Sequence, residues 1–444
     1  MHSPFPSRTS TPPASFVRNA MTYHLRGVLV LALCSAPLLA HASEAELIQR
    51  LDKLAAELAE VKAELAASKQ HADTTSTTTA TTTMTAPAAS GNLGAQTTLS
   101  GYGEITYNRP RKDGSKSQAD VRRAVIGIEH RFDPKTKLVT EFEWEHAVTS
   151  AGDKGEAAVE QIYVEREFDS GLRAKGGLFL IPAGLLNTSH EPTAFYGVER
   201  NFVETAIIPS TWREAGIGLS STLENGLSWD LGLTTGFDLT KWDATSADGR
   251  NSPLASIHQE GQLAKSRDLA MHAALNWRGV PGLLLGGSIF SGKASHATAN
   301  FAAPDARVTL WDAHARYTPG KWDLAAVYAR GTISNTDALN ATFAGNPTPI
   351  PSSFSGWYAQ AAYQAWKSQD YVLTPFVRYE QFNTARSYAG QAAGTGVAPG
   401  PTQKVATVGA NLRVGEGVVL KADYQKFQDD AARDRLDLGL GYAF

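Results

Sequence analysis

The chain has 444 residues, with 41 Lys and Arg against 44 Asp and Glu; the net charge of −3 leaves no basic footprint for nucleic acid. A single cysteine, Cys34, excludes a disulfide framework, and no segment after residue 42 has the length and apolarity of a membrane-spanning helix. The mildly polar average still admits a transmembrane barrel, in which only alternate residues meet lipid.

Met21 opens a better start than Met1: His24 and Arg26 precede the apolar run Gly27 to Leu39, and Ala40-His41-Ala42 is a small-x-small cleavage site. That order predicts a secretory signal peptide over 21–42, with 1–20 an extension from a start codon placed too early. Leu33 before Cys34 speaks against lipid attachment there, so cleavage after Ala42 leaves a cysteine-free chain suited to an oxidising periplasm. In residues 43–70, Leu47, Leu51, Leu54, Leu58, Val61 and Leu65 are spaced 4, 3, 4, 3, 4, the a/d seam of a coiled coil. Residues 71–96, rich in Thr and Ala, lack apolar content for a core and read as a flexible linker.

From 97 to 444 the chain alternates in strand fashion. Short turns recur at 133–136, 169–171, 224–226, 279–282, 319–321, 367–370 and 415–417. Longer connections fall near 109–119, 148–156, 184–214, 239–265, 292–304, 332–353, 383–402 and 429–432. Seven short turns alternating with eight long connections predict an all-β transmembrane barrel of sixteen antiparallel strands. An even strand number puts both ends on the turn side, the periplasm, together with the coiled coil. The last strand shows the pattern most plainly. Leu436, Leu438, Leu440, Tyr442 and Phe444 fall on one face, Arg433, Arg435 and Asp437 on the other.

The same parity assigns the faces of other strands. Ala124, Ile126, Ile128, Leu138, Phe142, Trp144, Trp311, Val377 and Leu420 face lipid. Cations on the inward face are Arg123, Arg131, Arg173, Lys175, Arg316, Arg378, Arg413, Lys421 and Arg435, taken as pore-lining. Inward acids are Glu104, Glu129, Glu141, Glu143, Glu145, Glu165, Glu167, Asp230, Asp312 and Asp423. Strands 282–291 and 321–331 are ambiguous by this test. Charges of both signs cannot form a packed core, so the lumen is expected to hold water. Arg378, Arg413, Lys421, Arg433, Arg435, Arg123 and Arg131 fall on strands 13–16 and 1–2, with Glu141, Glu143, Glu145, Glu165 and Glu167 on strands 3–4; this predicts opposed charge sectors. Asp312, His314 and His272 are the only hint of an outer-membrane enzyme, and in a wet channel such groups are wall residues. No catalytic residue, cofactor or metal ligand is assigned; a cell-wall tether through the coil is a further reading.

Connection 184–214 mixes aromatics with charges over about thirty residues, and loops of this length are functional or disordered. Its aromatics favour a loop folded into the barrel, with Glu199, Arg200, Trp212 and Arg213 as constriction residues. At this loop the sequence resembles the phosphate-selective porin O/P family, through Gly177-Leu178-Phe179-Leu180-Ile181-Pro182-Ala183-Gly184, the Glu199-Arg200 pair, and Pro209 with Trp212-Arg213-Glu214-Ala215-Gly216. The coil and linker also resemble those of dicarboxylate-uptake porins. The resemblance implies a homotrimer in the outer membrane of a Gram-negative bacterium, each chain passively passing small hydrophilic solutes, chiefly anions such as phosphate or carboxylates. A non-selective diffusion porin is the alternative, since inward acids match inward bases in number. Phe444 resembles the carboxyl-terminal aromatic signal read by barrel-insertion machinery, and lipid surrounds the apolar band.

Overall fold

The computed structural model describes residues 96–150, 152–390 and 397–444. The segments expected to be an extension (1–20), a signal peptide (21–42), a coiled coil (43–70) and a linker (71–96, up to residue 95) lie outside these residues. Strands β1 (Thr97–Pro110), β2 (Gln118–Asp133), β3 (Thr136–Glu145), β4 (Glu156–Glu167), β5 (Arg173–Leu180), β6 (Arg213–Thr222), β7 (Leu227–Thr234) and β8 (Ala270–Trp277) form the first half of one antiparallel sheet. The second half is β9 (Leu283–Lys293), β10 (Arg307–Tyr317), β11 (Trp322–Ser334), β12 (Pro351–Tyr363, resuming as Trp366–Ser368), β13 (Tyr371–Tyr388), β14 (Gln403–Val414), β15 (Val418–Phe427) and β16 (Arg435–Ala443). Both pieces of β12 pair with β13, so they are one stave and the barrel has sixteen.

Closure comes from β1 against β16, in register from Tyr102↔Ala443 to Pro110↔Arg435. Gly101 and Phe444 exchange both backbone hydrogen bonds, at 3.1 and 2.9 Å, so the last residue completes the seam. A closed sheet leaves no unpaired edge in hydrocarbon. Deleting Phe444 removes those two bonds and an exposed ring, and assembly should be impaired. The check is heat-modifiable gel mobility; a truncated chain that assembles at the normal rate contradicts it.

Strand parity holds over most of the wall. Leu436, Leu438, Leu440 and Phe444 are exposed outward while Asp437 is buried inward. The two ambiguous strands have a physical explanation. On β9 and β11 the inward residues Phe290, Val327, Ala329 and Ile333 are apolar and buried against material inside the barrel. That material is the β5–β6 connection together with the β7–β8 and β11–β12 connections, which supply Phe237, Leu239, Trp242, Leu254, Ile257 and Ile350 to one apolar cluster. The expectation of a wholly aqueous lumen is corrected here: the β8–β12 side is packed, and polar space lies elsewhere.

Two bulges alter parity where it matters. Glu104 pairs with Arg123 but Ile105 with Val121, leaving Arg122 as an extra residue in β2. Glu141 pairs with Gln161 but Phe142 with Val159, leaving Glu160 extra in β4. Each bulge turns one more polar side chain inward than strict alternation allows.

Candidate functional site

The β5–β6 connection crosses the lumen from a rigid root. Asn187 Nδ2 donates to the Ile181 and Trp212 carbonyls at 2.7 and 2.8 Å, and Trp212 N–H donates back to Asn187 Oδ1 at 2.7 Å. The Trp212 indole is fully buried, stacked on Phe237 at 5.2 Å and edge-on to Phe290 at 4.6 Å. Trp212 therefore anchors the loop root and does not line the opening, which corrects its assignment as a constriction residue.

Beyond the root, a short helical turn, Val203–Ile207, packs on β11, β12 and β13. Glu204 is its main tie. Its carboxylate accepts from Leu185 N, Leu186 N, Asn201 Nδ2 and Tyr358 Oη at 2.6, 2.7, 2.8 and 2.9 Å. Burial pushes this carboxyl above its ordinary range, against the pull of those donors. Gly184, at φ +68°, has no side chain to collide with Glu204 Oε1, so glycine is required where the loop doubles back. The far wall holds the loop through its polar ends. Phe202 N–H donates to Glu380 Oε2 at 2.6 Å and Val198 N–H to Asp423 Oδ2 at 2.6 Å; Arg378 reaches the Tyr196 carbonyl at 3.2 Å. Phe202 stacks on Phe382 at 5.0 Å, and Lys421 Nζ sits 3.5 Å from the Phe195 ring centre.

Arg378 and Lys421, read from sequence as pore-lining, are thus covered by the loop, 4% and 5% exposed, and are corrected to loop-holding positions. Arg378→Ala should loosen the loop and raise conductance fluctuations with little change in selectivity; single-channel recording decides it. Arg131, Arg173, Arg316 and Arg413 lie near the turn end, where Arg316 and Arg413 border a second polar cavity of about 220 Å³. Lys175 is tied to Asp230 at 3.1 Å and lies over the Phe179 ring.

What remains open is a polar cavity of about 650 Å³ between the loop and the β1–β4 wall. Its cations are Lys116, Arg122, Arg123, Arg200, Arg213 and Arg435. Arg123 lies 3.0 Å from Glu104, 2.9 Å from Glu143 and 3.7 Å from Glu145. The acidic and basic sectors expected to oppose each other therefore meet along this seam. Arg122 pairs with Glu199 at 3.5 Å, and Arg435 with Asp437 at 3.0 Å. Arg213 pairs with Glu260 at 3.2 Å. Burial alone would raise the Glu260 carboxyl, but His258 and Arg213 hold it below its ordinary range, so it stays ionised and matches Arg213.

Arg200 differs. It is the one cavity cation among the described residues with no carboxylate within 4.0 Å. Its guanidinium donates to Ser210 Oγ at 2.6 Å, Thr211 Oγ1 at 3.0 Å and the His190 carbonyl at 3.0 Å, and its Nε has no partner. Thr211 holds φ 53°, a left-handed conformation that is strained for a β-branched residue and costs about 1–3 kcal/mol. Strain of this kind persists where surrounding contacts over-determine it, here around the arginine.

The Asp312 and His314 pair is not arranged for catalysis. His314 Nδ1 lies 2.6 Å from Asp312 Oδ1, its Nε2 meets Asn276 Oδ1 at 2.8 Å, and Ser288 bonds to Asp312. Nucleophilic catalysis needs the hydroxyl on the imidazole, and here it is on the carboxylate. Arg122, Glu160 and Tyr102 escaped sequence reasoning; the first two because bulges break parity, Tyr102 because a lone inward tyrosine carries no signal.

Residues 93–430 match the family model described as phosphate-selective porin O and P. An uncharacterised protein of Aquifex aeolicus is 29% identical over 338 residues, 74% of each chain. Among solved structures, OmpF of Salmonella typhi in complex with daunomycin superposes with a TM-score of 0.53 at 14% identity, over 78% of this chain and 97% of that one. The outer membrane channel DcaP of Acinetobacter baumannii gives 0.49 at 13% identity, over 78% and 97%.

Proposed function

This chain belongs to the phosphate-selective porin O and P family, and from that membership we propose that it passes small hydrophilic anions, such as phosphate or carboxylates, by passive diffusion. It is an outer-membrane channel in fold and family. The anion reading rests on Arg200. A cation that lines the polar cavity without a carboxylate partner, and keeps one buried N–H unpaired, lowers the energy of an anion in that cavity. Low-dielectric walls strengthen that field and dilute salt leaves it unscreened.

The six cavity cations are matched by Glu104, Glu143, Glu145, Glu156, Glu199 and Glu260, and this parity favours a second reading, a non-selective diffusion porin. Swelling of liposomes carrying the channel separates the two. Entry of phosphate and small carboxylates faster than zwitterions of equal size supports the anion channel; equal rates support the second reading, and no swelling with either refutes a channel.

We propose further that the chain works as a homotrimer, with residues 43–70 as a periplasmic coiled coil, and that insertion machinery reads Phe444. The isolated 44–68 peptide should self-associate in sedimentation equilibrium. Placing Asp at Leu54 and Leu58 should abolish this by charging the apolar seam. A monomeric wild-type peptide at high concentration refutes the coil.

A further inference from the structure

We propose that Glu141, Glu160 and His190 form a binding site for a divalent transition-metal ion of the zinc type, which clamps the constriction loop to the barrel wall. The inference stands apart from the anion reading, since none of the three residues borders the large cavity.

The site joins three segments. Glu141 comes from β3, Glu160 from β4 and His190 from the loop, and one ligand atom of each lies within 4.8 Å of the others. That span suits a single ion with bonds of about 2.0–2.2 Å after small side-chain movements. The bulge in β4 is what brings Glu160 there. Val159 and Ile162 on either side stay outward, while Glu160 and Gln161 both turn to the lumen.

Three observations point to a cation-binding site. Glu160 is wholly buried, no N–H or hydroxyl donor reaches its Oε1, and a second carboxylate, Glu143, lies within hydrogen-bond reach of it. A buried carboxylate oxygen left without a donor is costly, and a bound cation removes that cost. His190 Nδ1 lies 3.0 Å from the Asn187 carbonyl, which fixes Nδ1–H as a donor and leaves the Nε2 lone pair to the cluster, where Tyr102 Oη meets it at 2.7 Å and Glu160 lies 3.7 Å away. Metal-bound histidines are oriented in this way. Gln161 Nε2 donates to Glu141 Oε2 at 2.6 Å, holding that carboxylate in place. The nearby Arg123 does not substitute for the ion, because Glu104, Glu143 and Glu145 already share its charge.

Tyr102 Oη, 2.7 Å from His190 Nε2 and 3.1 Å from Glu160 Oε2, stands as a fourth donor. One imidazole with carboxylate and phenol oxygens suits zinc-like ions, whereas magnesium and calcium take oxygen sets. An ion here links wall to loop a few residues from Arg200, and so holds the constriction in one position.

The test uses the full, untagged chain in detergent, stripped with chelator and titrated with Zn2+ by calorimetry. The proposal expects one Zn2+ per chain, with affinity weakened about 100-fold in His190→Gln and in Glu160→Gln and left unchanged by His314→Gln. It also expects X-ray absorption of the wild-type complex to show one nitrogen among oxygen donors, which needs no variant to fold. No binding by the wild type, unchanged affinity in both variants, or a shell of several imidazoles overturns it.

Discussion

Removing Glu204 and Glu380 together by alanine substitution should raise single-channel conductance severalfold and make it noisy. Glu204 alone satisfies two backbone N–H groups, an amide and a tyrosine hydroxyl, and Glu380 receives the Phe202 N–H. Each donor left buried and unpaired costs about 1–3 kcal/mol, enough in sum to free a loop segment from the wall. The root is independent of both residues, since Asn187 and Trp212 fasten it to the β5 and β6 ends. The barrel should therefore still close and the loop alone should swing. Recordings in planar bilayers, paired with protease cleavage within 195–208, measure the effect. Unchanged conductance with a cleaved loop would mean that the loop does not set the passage.

Arg200→Ala should move the reversal potential toward cations and roughly equalise or reverse selectivity. At about 4 Å from an anion, a unit charge contributes about 1 kcal/mol in water and about 4 kcal/mol at the effective dielectric of a protein surface. The lower figure, fitting for a wet lumen, corresponds to about a fivefold change in permeability ratio. The shift should shrink as salt rises, because the Debye length falls from about 30 Å at 0.01 M to about 3 Å at 1 M. Arg200→Lys keeps charge but loses the fork that binds Ser210 and Thr211, so it should retain part of the preference. An Arg200→Ala channel with wild-type selectivity at low salt would remove the observation on which the anion reading stands.

The barrel itself was written plainly in the chain. Turn chemistry at 133–136 or 415–417 is local, and the period-two faces of β3 and β16 follow from strand geometry alone, so both are visible without tertiary knowledge. The terminal strand, with Leu436 to Phe444 outward and Asp437 inward, needed no more than that. The constriction was legible only as a long aromatic-rich connection. Which of its residues would face water depended on contacts between distant segments: Trp212 turns to Phe237 and Phe290, while Arg200 turns to the cavity.

Charge pairing was hidden for a related reason. Arg123 meets Glu104 and Glu143 because of strand register, and register across a barrel is set by all its turns and bulges together. The extra residues Arg122 and Glu160 illustrate the limit, since a bulge is a property of two strands and parity is read along one. The apolar insides of β9 and β11 looked irregular as sequence because they answer to loops packed within the lumen, not to water.

The most direct measurement is the reversal potential of the wild-type channel in a planar bilayer, under a tenfold gradient of dilute potassium chloride. A water-filled lumen narrowed by a loop that carries the unpaired Arg200 should give an anion-selective potential that weakens as both solutions are made more concentrated. A cation-selective potential in dilute salt would contradict it.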